Sequence, residues 1–249
     1  MMRKMLVLAV AAGALALTPA THAAPLVNIY AGAFTWNADV SGFVDTDGDR
    51  VDMENDLGFD RSRQNVLYFG LEHFVPLVPN VRLRHMALSD SGRATTAGFV
   101  FDGQAFAGDV RSSFDLDMTD LTLYYTPLDN MVKLDAGLNV RRLDAEFDVR
   151  TEPAAVEGNE SARETFPMLH LGARVKLPFS GFYAGGEINT IRYDGSRLED
   201  YTARVGWVSD FLLGVELGYS HFNIKLDDVS GLDADLEFGG PYLALSVSF

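Results

Sequence analysis

The sequence has no cysteine. No disulfide can staple the fold, even in an oxidising compartment where staples are usual. Basic residues are also scarce, with 20 Lys and Arg against 35 Asp and Glu. Neutralising nucleic-acid phosphates requires a basic face, so nucleic acid is excluded as an expected partner. Histidine is rare, with five in all. Long apolar runs are missing after residue 25, so no helix of about 20 residues is expected to cross a bilayer. Heptads, internal linkers and low-complexity tracts are absent as well. The fold must be held by packing or by closed backbone hydrogen bonding.

The one long apolar run opens the chain, in MMRKMLVLAVAAGALALTPATHAAP. Arg3 and Lys4 form a positive start, Met5 to Leu17 is apolar, and Thr21 and Ala23 occupy the −3 and −1 positions of a small-residue cleavage site. This pattern predicts a secretory signal peptide over 1–23. The apolar run is too short to anchor the chain across a bilayer. Removing Arg3 and Lys4 with the leader leaves 18 basic residues against 35 acidic, a net charge of −17 for residues 24–249.

After residue 25 the dominant period is two. Leu243, Leu245, Val247 and Phe249 alternate with Ala244, Ser246 and Ser248. Phe211, Leu213, Val215, Leu217 and Tyr219 alternate with Gly214, Glu216, Gly218 and Ser220. The segments around 132–140, 169–177 and 201–207 behave the same way. Alternation sustained over such lengths predicts strands. Ten are expected, near 26–40, 63–74, 80–90, 109–125, 131–149, 163–177, 181–193, 198–208, 211–226 and 235–249; eight is the alternative count. Parity slips at Arg141-Arg142 and near Ser220-His221, each consistent with a β-bulge or with a strand leaving the bilayer.

The connections alternate in length. Those at 75–80, 126–130, 178–181 and 209–210 are short. Those at 41–62, 91–108, 150–162, 194–197 and 227–234 read as mostly longer polar loops. An up-and-down meander then has tight turns at one end and loops at the other, the pattern of outer-membrane barrels. The polar faces mix Gly with large charged residues, as a narrow lumen requires. The expected fold is therefore all-β: an antiparallel up-and-down transmembrane β-barrel over 24–249, with both termini periplasmic. Phe249, with Leu245 and Val247 at alternate positions before it, reads as a signal for the outer-membrane assembly machinery.

Four stretches carry a resemblance: NDLGFD (55–60), LEHFVPLVPN (71–80), GFYAGGEI (181–188) and LDADLEFGGPYLALSVSF (232–249). Together they resemble the outer membrane β-barrel proteins named for a Gly-Gly motif. The turn at 72–74 reads EHF where the family pattern has EHP. The resemblance implies an outer-membrane location in a Gram-negative bacterium. The family has no established activity, so it implies no functional residues.

Candidate chemistry is sparse. DTDGDRVDMEND (45–56) resembles an EF-hand loop, with Asp45, Asp47 and Asp49 as weak candidate ligands. Arg50 stands where the sharp turn needs Gly, so the stretch is expected to be a solvated acidic turn rather than a calcium site. His73, His85, His170 and His221 assemble no nucleophile–base set by spacing; Ser220 and His221 face opposite sides of a strand. No enzyme, cofactor or metal is expected. Counting upward from each short turn places Arg84, Asp135, Arg174, Glu187, Arg204 and Glu216 at similar heights on the lumen face. The expectation is an ion-paired, plugged lumen in a structural or surface-interaction barrel. A narrow channel or lateral-diffusion barrel for small solutes is the alternative, and an outer-membrane hydrolase a further one. Expected partners are outer-membrane lipid, lipopolysaccharide and the assembly machinery, with the barrel as a monomer.

Overall fold

The computed structural model describes residues 27–46, 49–153, 155–229 and 232–249. The expected leader, Asp47 and the Asp49 side chain lie outside this description. Ten long strands form the wall: β1 (Val27–Thr46), β3 (Ser62–His73), β4 (Asn80–Phe101), β5 (Gln104–Asp129), β6 (Val132–Thr151), β7 (Glu157–Lys176), β8 (Phe182–Tyr193), β9 (Ser196–Val208), β10 (Leu213–Val229) and β11 (Leu232–Ser248). A short β2 (Asp49–Asp52) folds back on the top of β1. Each wall strand pairs antiparallel with the next, and β11 returns to β1 to close the barrel. Ile29 and Phe249 seal the joint by exchanging both backbone hydrogen bonds, at 3.0 and 2.7 Å. Closure leaves no sheet edge along this joint, which lets a chain without disulfides satisfy its backbone.

Alternation decides which residues face out. Leu67, Leu138, Val205, Leu217 and Leu245 are 55–62% exposed. Their strand neighbours point inward. This puts a continuous apolar belt on the outside of the half nearer the short turns. Tyr201, Tyr219 and Trp207 lie on the same outer face.

Above that belt the faces exchange polarity while the strands continue. On β6 the inward positions run from Lys133 and Asn139 through Arg141 to Leu143 and Val149, all buried. The β6 pairings to β5 and β7 pass through Arg141 and Arg142 with no shift in register. The parity change in the sequence is therefore no bulge. The same holds at Ser220-His221, where β9 and β10 stay in register and Phe222 becomes buried. A barrel in lipid must be apolar outside, and one in water apolar inside. The exchange marks the height at which the wall changes solvent.

Most of the expected polar loops are strand. Residues 91–108 form the upper part of one hairpin, in which β4 and β5 are joined by Asp102 and Gly103 with φ of 50° and 65°. β8 and β9 are joined by Asp194 and Gly195 with φ of 48° and 83°. Two consecutive left-handed residues make a type I′ turn, which Asp-Gly tolerates best. β6 and β7 likewise extend through most of 150–162. The wall is thus tall at β4–β7 and low at the β8–β9 turn. β7 loses its pairing to β8 above Leu169–Thr190, where Pro167 has no amide to donate.

Candidate functional site: a two-layer lumen

Nearest the short turns, the lumen is lined by tyrosines laid on glycines. Tyr30 faces Gly70 and Tyr68 faces Gly32 across the β1–β3 pair. Tyr124 faces Gly137, Tyr183 faces Gly206, and Tyr242 faces Gly218. In each case a Cβ on the glycine would overlap the ring or the tyrosine's own backbone. Gly32, Gly70, Gly206 and Gly218 therefore provide the floor on which the facing rings lie, and those rings fill the space the missing side chains leave.

The next level is charged. Glu187 of β8 accepts from Arg82 Nη1 at 2.8 Å and Arg204 Nη2 at 3.1 Å, with Arg84 Nη1 at 3.8 Å. Arg204 Nε lies 3.7 Å from Glu216, which also accepts the hydroxyls of Tyr183 and Tyr242. Asp120 of β5 accepts from Arg84 Nε and Nη2 at 2.9 and 2.6 Å and from Arg141 Nε and Nη2 at 2.7 and 2.8 Å. Asp200 of β9 accepts from Arg84 at 2.6 Å, from Arg141, and from Asn189 Nδ2 at 2.8 Å. His170 completes this edge through Asn189 Oδ1 at 2.8 Å. A smaller pair, Lys133 with Glu72, joins the tyrosine layer through the Tyr124 hydroxyl.

The main network thus sets Arg82, Arg84, Arg141 and Arg204 against Asp120, Glu187, Asp200 and Glu216. It is neutral and crosses the lumen from β4 to β10. Arg141 is fully buried, and the Asp120, Asp200 and Glu187 side chains are 3–6% exposed. Bidentate Arg–carboxylate bonds of this kind offset the desolvation of groups taken from water.

The upper layer is apolar. Arg141 lies with its guanidinium carbon 5.0 Å from the Phe222 ring centre, at the boundary between layers. Above it Phe114 packs on Phe59, Phe147 and Phe238 with centroids 5.0, 5.8 and 6.0 Å away. Leu88, Leu116, Met118, Leu143 and Val149 complete a core inside the barrel. Phe99 stacks on Phe106 at 5.4 Å in the β4–β5 hairpin. A register shift between Thr96 and Phe99, with Gly98 at φ 139° and Gly108 at φ 82°, bends that hairpin. Its tip reaches β7, where the Asn159 amide donates to Asp102 at 3.2 Å.

The described part of the acidic stretch in the first connection joins this core. Met53, Leu57 and Phe59 are buried. Asp52 accepts the amides of Glu54 and Asn55 at 3.1 and 2.9 Å, and Asp56 accepts the Thr96 hydroxyl at 2.8 Å. These carboxylates stabilise a turn that packs beside β4, where β3 is too short to reach. Asp45 sits in β1 opposite Asp233. Among the described residues no group of three or more His, Asp or Glu is placed to hold a metal.

Of the six lumen residues expected from sequence, Arg84, Glu187, Arg204 and Glu216 lie in the main network. Asp135 does not: it accepts the Thr126 hydroxyl at 2.6 Å. Arg174 does not either; it stacks over Tyr183 at 4.7 Å. Counting heights from the turns ignores the tilt of the strands, which carries these two to a lower level. Sequence reasoning missed Arg82, Asp120, Arg141 and Asp200. Parity was the available signal for three of them, since Arg82, Arg141 and Asp200 share inward strand faces with Arg84, Asp135 and Arg204, whereas β5, which carries Asp120, held no expected residue. The histidines are dispersed: His73 contacts the Pro79 carbonyl, His85 meets Thr119 at the surface, and His221 stacks outside on Tyr201.

No family model and no curated protein matches the chain. Solved structures do. The outer membrane protease OmpT of Escherichia coli superposes with a TM-score of 0.59 at 11% identity, covering 89% of this chain and 97% of that one. The chain has the fold of an outer-membrane β-barrel. Ail, the attachment invasion locus protein of Yersinia pestis, matches at TM-score 0.40 and 10% identity over 89% of this chain and 99% of that one. The transport unit of the autotransporter AIDA-I from Escherichia coli matches at TM-score 0.43 and 10% identity, over 94% and 93% of the two chains.

Proposed function

We propose that this chain is an integral outer-membrane barrel that is shut along its axis and serves a structural or surface-interaction role. The observation that carries the reading is the filling of one lumen by two unlike layers. A neutral ion-pair network occupies the membrane level, and an aromatic core occupies the part of the wall above it. A ten-stranded barrel has little room beyond its own side chains, and here both levels are spent on packing. The apolar belt supports a lipid environment. The short turns then face the periplasm with both termini, and the tall hairpins face outward. Phe249, Leu245 and Val247 lie on the belt side of β11 and suit recognition by the assembly machinery. The Gly-Gly motif family remains the proposed kinship, with Gly185 and Gly186 on β8. Among the described residues no catalytic constellation supports an enzyme.

The narrow-channel reading predicts a continuous wet path, which two packed layers oppose. Swelling of proteoliposomes in small sugars and amino acids tests the choice. Vesicles carrying the folded barrel should swell no faster than empty ones. Size-dependent swelling would replace the plug with a channel.

A further inference from the structure

One outward surface is out of character with an acidic chain. Arg192 of β8, Arg197 of β9 and Lys225 of β10 are directly paired neighbours across three strands. They line a recess of about 360 Å³ with Tyr193, Asp194, Gly195 and Ser196. Like charges placed directly opposite one another destabilise a sheet, so the row invites a counter-charge. Glu199 supplies part of it. It accepts from Arg192 Nε and Nη2 at 3.0 and 2.7 Å and lies 3.5 Å from Arg197 Nε. Among the described residues Arg197 otherwise donates only to the neutral Asn223, at 3.2 Å. Lys225 makes no ion pair within 4.0 Å among the described residues. Asp235 of β11 stands directly opposite Lys225 and accepts from Asn223 Nδ2 at 2.9 Å, and Asp194 in the turn and Asp227 beside Gly195 are further acids at the rim.

The height of this row sets its partner. The stacked pair Tyr201 and His221 lies directly below it on β9 and β10, at the upper margin of the apolar belt. Arg197 is four residues beyond Tyr201, about 13 Å along the strand and about 10 Å along the membrane normal at a 40° tilt. The β8–β9 turn is also the lowest point of the rim, so nothing in the wall stands between the row and the outer leaflet on these strands. Long basic side chains at this depth reach back toward headgroup phosphates. A guanidinium fork matches a phosphate better than a single carboxylate matches three cations. Two other basic groups are less suited. Arg142 and Arg163 share Asp144. Arg93, Arg111 and Arg150 also form a row, but Arg150 stands ten residues beyond Val140, well above the headgroups.

We infer that Arg192, Arg197 and Lys225 form a site for the phosphorylated headgroup of an outer-leaflet lipid. The inference rests on the membrane-barrel reading above and assigns that barrel a fixed lipid contact. The test uses the full refolded barrel in neutral detergent, titrated with the lipid anchor of lipopolysaccharide in phosphorylated and enzymatically dephosphorylated forms. Wild type should prefer the phosphorylated form. Arg197→Ala/Lys225→Ala should lose about tenfold or more of that binding, while Arg111→Ala/Arg150→Ala keeps it. Heat-modifiable electrophoretic mobility verifies that both variants are folded. Equal binding of both lipid forms, or equal losses in both double variants, overturns the site. Displacement by millimolar inorganic phosphate also overturns it, because free phosphate is then the ligand. Failure of the folded protein to float with vesicles overturns the membrane reading itself, whereas flotation without headgroup preference refutes the site alone.

Discussion

Removing the Asp200 carboxylate examines the lumen network at its most enclosed point. Asp200 accepts from Arg84, Arg141 and Asn189, and its side chain is 4% exposed. In Asp200→Ala, Arg84 and Arg141 are left to share Asp120, with Glu187 no nearer than 3.8 Å to Arg84. One positive charge is then uncompensated in a site closed above by Phe222 and its neighbours. Stranding a buried charge costs about 3–5 kcal/mol. For a chain of this size each kcal/mol moves the midpoint by roughly 2–4 °C, so the expected fall is on the order of 10 °C. Thermal unfolding in detergent, followed by circular dichroism and by loss of heat-modifiable mobility, measures it. The exposed Glu160→Ala should stay within about 0.5 kcal/mol of wild type. Asp200→Leu/Arg141→Met removes both signs and should recover part of the loss, since an apolar pair can replace a buried ion pair. If Asp200→Ala melts with Glu160→Ala, water already screens these arginines and the network is no plug.

Phe114→Ala removes the ring at the centre of the upper core and should cost about 3–5 kcal/mol, read by the same melts; a loss under about 1 kcal/mol would mean that this layer is loosely packed. Gly218→Val forces a side chain into the Tyr242 ring and should destabilise by roughly 1–3 kcal/mol. Substituting Tyr242→Ala in the same chain should relieve part of that, and no relief would contradict the paired fit. Protease added to intact cells should cut at 152–156, the connection between β6 and β7, and spare 74–79; the reverse pattern would invert the topology.

The wall was legible because alternation reports geometry directly. Leu243 to Phe249 and Phe211 to Tyr219 could be assigned to strands and to one face without knowing the solvent. What an alternating pattern cannot state is which face meets which medium. Leu143, Ala145 and Phe147 were visible as a change of parity, yet the same change fits a bulge or a strand crossing from lipid to water. Continuous register through Arg141 separates the two, and register is a long-range property. The segment 91–108 read as a loop because its outer face is polar and a bulge near Gly98 interrupts the alternation. Its inward Phe99, Phe101 and Phe106 pack only once the hairpin bends over the mouth. The lumen charges were found in part for a related reason. Arg84, Glu187, Arg204 and Glu216 follow from parity and height. Asp120 is the direct cross-strand partner of Arg141 in the β5–β6 pair, but Asp200 meets Arg141 only because the barrel closes and brings β6 to face β9, a contact no local pattern contains.

The central claim is that the two layers seal the barrel, and single-channel recording across planar bilayers tests it most directly. Reconstituted wild type should give a flat baseline at moderate voltage, and Asp200→Ala alone should leave it flat, because the aromatic layer still closes the path. Steady, ion-selective conductance in the wild type would contradict the account.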